Sequence, residues 1–374
     1  MSPYARSLMD LMLNAPTELE RARAEVLLGC YWARVGDMTA AEDIRQRSRA
    51  RYPSGMYGEL TIMHMCLDGL INYYSEQSPA SSERLRAAHA LASTYKCRQE
   101  QAFSAAWLAH VEFNRDRWEA MFEALRSCLA ALDVTDRATA GRLSLVVADA
   151  LTHCGEFKFA KAWYEHARKL LTSIGDHAAI EAFMYNGAAL RLHAARLRRL
   201  NEPVSSEELV VLGGEIASAT NYQRMTDQRS LDYLLSAATA NHKILREEFG
   251  VARDLIVDLL EAGQIPKASN APPLLLADYA LCLAQLRDET ASLEAIHKAE
   301  AAMSDELSDD DAAIATNSLA TACWLMGQQE RASHWKARSA ESLRAFEVTQ
   351  SRLRSGMEAW LTEPVARLAL TERQ

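Results

Sequence analysis

The chain has 374 residues, a 49% hydrophobic fraction, a formal net charge of −9, and only 15 Gly and 9 Pro, which fits a mostly helical protein with a continuous core and short connections. An acidic balance argues against direct nucleic-acid binding, which calls for a basic face or stripe; the one dense basic run, Arg196-Leu197-Arg198-Arg199, reads as a helix end. Seven scattered cysteines without a Cys-x-x-Cys pair, a first apolar stretch (Leu8–Leu13) that is short and holds Asp10, and no run of about eighteen apolar residues together predict a cytoplasmic protein with free thiols, no signal peptide and no membrane contact.

Taken in chain order, a leading helix is expected over Pro3–Leu13. The first full unit then places Leu28-Gly29, Trp32, the turn Gly36-Asp37, Ala41, Ser48 and Pro53 in succession. Gly29 and Ala41 suit the crossing of two antiparallel helices, where small side chains let backbones approach. Trp32 fills the wedge toward the next helix, and Pro53 ends the second one. A unit over Met56–Tyr95 is expected to carry a long turn around Ser75–Ser82. Further units follow at Trp107-Leu108 with Arg115-Asp116 and Ala120, and at Val147-Ala148 with Gly155-Glu156 and Ala160. One starts near Ala182, with Gly187 at the crossing and an insertion over Leu200–Ser206. Another spans about Gln228–Gly263, with a weak turn near Phe249-Gly250 before Ala252. The last two have Tyr279-Ala280 with Arg287-Asp288 and Ser292, and Leu319-Ala320 with Gly327-Gln328 and Ala332. The small residues Ala120 and Ala160, Ala252 and Ser292, and Ser292 and Ala332 are each 40 apart. Such fixed-period self-similarity marks one supersecondary unit repeated.

These residues resemble the tetratricopeptide repeat, whose pattern puts Leu-Gly, an aromatic, two small residues and a terminal proline at those offsets. The resemblance covers most of the chain and implies an all-α fold: an α-solenoid, a right-handed superhelix of about eight helix pairs plus the leading helix and a long C-terminal capping helix. The implied organisation is one superhelical domain over 1–374, with the leading helix at 1–16, the repeats at 17–340, and the capping helix and tail at 341–374. The usual period is about 34 residues. The longer spacing here resembles the long-helix arrays of maltose-regulator-type activators and of bacterial diguanylate cyclase sensors, and the segment from Leu171 to Ala179 reads like their inter-repeat linkers. Gln264–Pro273 is a linker candidate. In Ser304–Asp311 the aspartates Asp309–Asp311 are placed at a helix N-terminus, where the macrodipole favours negative charge. The final helix is expected to begin near Gln329 and run past Trp360.

No phosphate loop, dinucleotide fingerprint, His-Glu-x-x-His, nucleophile elbow or diguanylate cyclase signature is present. His64-x-Cys66 and His153-Cys154 do not chelate locally, because helical neighbours one or two apart point in different directions. No catalytic residue, metal ligand or cofactor is therefore assigned. About twenty residues before the first repeat are too few for a helix-turn-helix.

Repeat stacking puts the first helix of each unit on the concave wall. Applied unit by unit, this nominates Arg34, His110, Arg142, Asp149, His153, Tyr185, Asn186, Arg191, Asn241, Asn317 and Thr321, with Tyr73 and Tyr74 as an aromatic wall. Asparagine carries a donor and an acceptor together and can hold a peptide backbone at both groups. The basic carboxylate clamp of chaperone-binding tetratricopeptide domains is not matched. The expectation is a non-enzymatic bacterial adaptor or sensor that binds a peptide or protein segment in the groove. The alternative is a regulatory subunit that binds an enzyme or transcription factor through its convex face or terminal helices. An enzyme with a groove site is a third reading, and a homodimer through the C-terminal helix a further partner option.

Overall fold

Ser2 starts the first helix by accepting the Ala5 amide on its hydroxyl at 3.1 Å, with Pro3 at the first helical position, where no N–H is needed. This opens a computed structural model that describes residues 1–226, 231–262, 271–304 and 307–363. After α1 (Pro3–Asn14), sixteen helices follow two by two. They are α2 (Glu18–Arg34) and α3 (Met38–Arg51), α4 (Gly58–Glu76) and α5 (Ala80–Tyr95), α6 (Arg98–Phe113) and α7 (Trp118–Ala131), α8 (Arg137–His153) and α9 (Phe157–Ile174). Next come α10 (His177–Arg199) and α11 (Ser206–Thr226), α12 (Asp232–Leu245) and α13 (Phe249–Glu261), α14 (Ala271–Gln285) and α15 (Glu289–Ala302), α16 (Asp309–Leu325) and α17 (Gln329–Thr362). The described residues contain no strand, so the chain is all-α.

The repeat is visible in the turns. Six pairs join through a residue with positive φ: Gly36, Asp116, Gly155, Glu247, Arg287 and Gly327. The amide after each of these donates to a carbonyl five residues earlier, as in Asp37 to Trp32, Glu156 to Leu151 and Gln328 to Cys323. This is the Schellman motif, which caps the last carbonyls of the first helix and reverses the chain. Between α4 and α5 the left-handed residue is Gln77, and the bond from Ser78 reaches Asn72. The long turn expected over Ser75–Ser82 is only the three residues 77–79, because Ser81 and Ser82 already lie in α5. The weak turn placed at Phe249-Gly250 is at Glu247, and those two residues open α13.

Five residues past each left-handed position stand Ala41, Ser82, Met121, Ala160, Ala252, Ser292 and Ala332, all buried. The crossing position of the α6–α7 pair is therefore Met121; Ala120, read from the sequence, is only half-buried. The insertion read over Leu200–Ser206 separates α10 from α11 except for Ser206, which opens α11. At Gly29 an added Cβ would lie 3.0 Å from Ile44 Cγ2 and 3.1 Å from Leu67 Cδ2, so its hydrogen lets α2 sit close to both α3 and α4.

The chain forms two compact units. Unit 1 comprises 1–183, 222–230 and 353–374; unit 2 comprises 184–221 and 231–352. In unit 1, α2, α4, α6 and α8 each pack on the next, and each also packs on its own partner helix. Its core includes Leu60, Leu67, Leu85, Met121, Leu151, Trp163 and Trp360. The last turns of α17 belong here, with Leu353, Met357 and Trp360 fully buried and the Trp360 ring 6.0 Å from that of Trp163. In unit 2, α14 packs on α13, α15 and α16 around Leu283, Ile296 and Leu319. Helix α17 is continuous through the boundary read at 340/341, and Asp309–Asp311 form the first turn of α16 as expected. Most of the Gln264–Pro273 linker, the start of the Gln228–Gly263 unit and the tail past 363 lie outside the described residues. No helix among those described is long and apolar enough to cross a membrane.

Candidate functional site

Five of the nominated residues meet in unit 1. Arg34 ends α2, Tyr73 and Tyr74 lie near the end of α4, Trp107 and His110 are one turn apart on α6, and Arg142 sits in α8. All four helices are the first members of their pairs; the side chains come from the end of α2 and of α4, the later half of α6 and the second turn of α8. The Tyr73 ring lies 5.0 Å from Tyr74 and 5.3 Å from His110. Trp107 stands 6.3 Å from Tyr74 and 5.7 Å from His110. The guanidinium carbon of Arg142 lies 4.1 Å from the Trp107 centroid, and that of Arg34 lies 5.6 Å from it, so one indole serves two cations.

The two arginines are buried alike and compensated differently. Arg34 is 9% exposed and its Nη2 donates to both carboxylate oxygens of Asp176, at 2.8 and 2.9 Å. Asp176 in turn caps α10, accepting the Ala179 amide at 3.1 Å. Burial disfavours the Arg34 cation, but the charge of Asp176, the nearby Tyr74 and Tyr4 and the hydrogen bond outweigh it, and its pKa is raised. Arg142 is 4% exposed, and its Nη1 has no hydrogen-bond partner among the described residues. Burial holds its pKa below the usual guanidinium value; Arg34 adds to that effect, while Tyr74, Asp176 and Asp149 oppose it. Between the two runs a slot of about 20 Å³ lined by Arg34, Trp107, Thr139, Arg142 and Asp176, among others. Such a space holds about one water-sized group. His110 is kept neutral, its pKa driven well down by burial and by both arginines.

A larger cleft of about 950 Å³ shares Ala138 with the slot and is walled by α1, the start of α6, the α7–α8 loop and the end of α9. Tyr4 brings α1 to the cluster: its ring lies 6.1 Å from Tyr31, and Pro3 rests on Gly175, whose φ is +66°. The cleft's size falls within the range of ordinary ligand sites.

The other nominated residues are placed elsewhere. Asp149 is buried and accepts the Tyr164 hydroxyl at 2.6 Å; His153 packs between Phe113 and Trp118 at 5.9 and 5.8 Å. In unit 2, Tyr185 and Asn186 are half-buried in α10, and Arg191 pairs with Glu215 at 2.8 Å. Asn241 accepts from Arg196 at 2.8 Å, Asn317 accepts from Lys336 at 2.9 Å, and the Thr321 hydroxyl donates to the Asn317 carbonyl. The basic run is divided: Arg196 is buried on Asp278 at 2.7 Å, while Arg198 and Arg199 pair with Glu208 and Glu247.

Reasoning from the sequence did not include Trp107 or Asp176 in the site. Trp107 could have been found, because it precedes His110 by three residues on one helix face. Nor did it bring out His193. Its Nε2 lies 3.0 Å from Asp310, and with Asp311 it forms a group whose ligand atoms all lie within 4.8 Å, able to hold a metal ion in unit 2. His64 and Cys66 do not converge: His64 Nε2 meets the Ser48 hydroxyl at 2.8 Å, and Cys66 is enclosed.

No protein-family model matches the chain, and no curated protein matches it.

Proposed function

We propose that this chain is a tetratricopeptide-like repeat protein whose helix pairs wind into a right-handed superhelix. It works in the cytoplasm as a non-enzymatic adaptor or sensor, holding a peptide or protein segment against the first helices of its repeats. The observation that carries this reading is the row of Arg34, Tyr73, Tyr74, Trp107, His110 and Arg142 on α2, α4, α6 and α8, next to an open cleft. The recurrent Schellman turns and the small residues behind them support the repeat assignment. Aromatic and arginine side chains are the types that dominate binding energy at protein interfaces.

The test is selection from a displayed random dodecapeptide library, followed by calorimetric titration of recovered peptides against wild type, Tyr74→Ala and His110→Ala. Enriched peptides that lose at least about tenfold in affinity with either variant support the reading. A library with no enriched peptide, or variants that bind like wild type, would defeat it. A regulatory subunit working through another face is favoured by one feature: Phe157 and Phe159 on α9 are 46% and 55% exposed. On that reading, replacing both by serine abolishes partner binding and leaves the aromatic row without effect.

A further inference from the structure

Arg142 is costly to bury as it stands. A cation removed from water is tolerated when a carboxylate or several acceptors replace its hydration, and leaving a buried donor unmet destabilises the fold. Arg34 shows the better compensated case: Asp176 neutralises it through Nη2, and only its Nε lacks a partner among the described residues. Arg142 has the indole face of Trp107 at 4.1 Å and an enclosed Nη1 with no acceptor. Of the carboxylates whose charge reaches it, Asp176 is held by Arg34 and the Ala179 amide, and Asp149 accepts the Tyr164 hydroxyl at 2.6 Å. The slot that Arg142 helps to line measures about 20 Å³, room for a single oxygen-sized group.

Building on the reading of unit 1 as a peptide-holding surface, we propose that this slot is a carboxylate subsite: Arg142, laid on Trp107, takes one carboxylate oxygen of the bound segment as the acceptor its Nη1 lacks. The carboxylate comes from an acidic side chain or from a chain terminus. A guanidinium pairs with carboxylate and phosphate oxygens alike, so the narrow slot and not the cation sets the preference. The slot admits one oxygen, so the rest of either anion stays outside it, and behind that oxygen the flat carboxylate is slimmer than a tetrahedral phosphate.

The experiment titrates the full chain with sodium acetate, acetamide or inorganic phosphate at constant ionic strength set by sodium chloride. Binding is read by tryptophan fluorescence and by thermal unfolding. Acetate is expected to raise the unfolding temperature in a dose-dependent way, with acetamide and phosphate inert. Arg142→Met is expected to weaken acetate binding at least about tenfold, the scale of one charge-assisted hydrogen bond. Ala138→Val, which fills the slot from its wall and keeps both arginines, is expected to do the same and covers the case in which Arg142→Met does not fold. Three hexapeptide pools then identify the source: acidic side chains with an amidated end, no acidic side chains with a free end, and both blocked. A carboxylate-bearing pool that binds at least about tenfold more tightly than the blocked pool, with the advantage erased by Arg142→Met, supports the subsite. If all three pools bind equally and acetate is inert, the subsite falls while the peptide reading stands. If acetate binds through Arg142 and no pool binds, the subsite stands and the peptide reading falls. Phosphate or chloride binding as tightly as acetate, or an acetate effect undiminished in both variants, overturns the carboxylate assignment.

Discussion

The contrast between the two buried arginines makes a stability prediction that needs no ligand. Arg34→Met removes the cation and leaves Asp176, 1% exposed, with only the Ala179 amide at 3.1 Å. Removing one partner of a buried ion pair costs about 3–5 kcal/mol. Arg142→Met removes a cation whose Nη1 has no acceptor, which relieves about 1–3 kcal/mol of unmet desolvation and forfeits about 1–2 kcal/mol of indole contact. The two terms nearly cancel, so Arg142→Met is expected within about 1 kcal/mol of wild type. Methionine approximates the aliphatic stem in both variants, so packing losses are similar. Equilibrium urea unfolding followed by tryptophan fluorescence suits the comparison, because Trp32, Trp107, Trp118, Trp163 and Trp360 all lie in unit 1. In the double variant Arg34→Met with Asp176→Asn, the loss should shrink relative to the sum of the single ones. Equal losses in Arg34→Met and Arg142→Met would show that Arg142 is as well compensated as Arg34, and the case for an unmet cation would be refuted.

His64 gives a pH-dependent term: burial, with Arg49 adding and Asp68 opposing, lowers its pKa from 6.5 to about 4. A depressed histidine contributes stability above about pH 6.5 that is lost as pH falls toward 4, up to about 3 kcal/mol. Unfolding at pH 7 and pH 4.5 should therefore converge for wild type and His64→Gln at the lower pH, and a constant gap would contradict the assignment. Gly175→Ala forces a left-handed φ of +66° on a residue whose new Cβ would lie 2.6 Å from Pro3; about 1–3 kcal/mol of destabilisation is expected, with amide exchange of α1 accelerated before the rest. Trp360→Ala empties a fully enclosed site against Trp163 and should cost about 3–5 kcal/mol by urea unfolding, with an intact transition indicating that the end of α17 is not seated there.

The periodic features of the chain were legible because each repeat solves the same local problem. A left-handed residue must close the first helix, and a small or slender one must lie where the two helices cross. Gly36, Gly155 and Gly327 announce the first requirement in their residue type, whereas Asp116, Glu247 and Arg287 adopt the same φ without the glycine that would signal it. That is why the α12–α13 turn was displaced by two residues; at Arg115-Asp116 the turn is placed correctly, and Ala120 stood in for Met121 because a small residue marks the other crossings. The asparagines illustrate a different limit. Asn241 and Asn317 carry the donor and acceptor that suit a peptide backbone, yet Arg196 and Lys336 already use their side-chain oxygens. A residue type states which bonds a side chain can make; only its neighbours decide which remain open.

The same distinction separates Arg34 from Arg142. Both sit on the first helix of a pair, both are buried, and both approach the Trp107 ring. What differs is a carboxylate 142 residues from Arg34 in sequence, at the N-cap of α10, whose position depends on every turn between them. Had Asp176 stood between the two guanidinium groups, it would have divided its charge and left neither cation exposed to a ligand. Placed on Arg34 alone, it leaves an uneven pair: one arginine that holds the fold, and one that lines a slot the size of an oxygen atom and whose enclosed Nη1 has no acceptor among the described residues. Because the unmet donor and the indole contact nearly cancel, stability by itself neither requires the second arginine nor excludes it. The subsite proposed above gives that donor the acceptor which the fold itself does not supply.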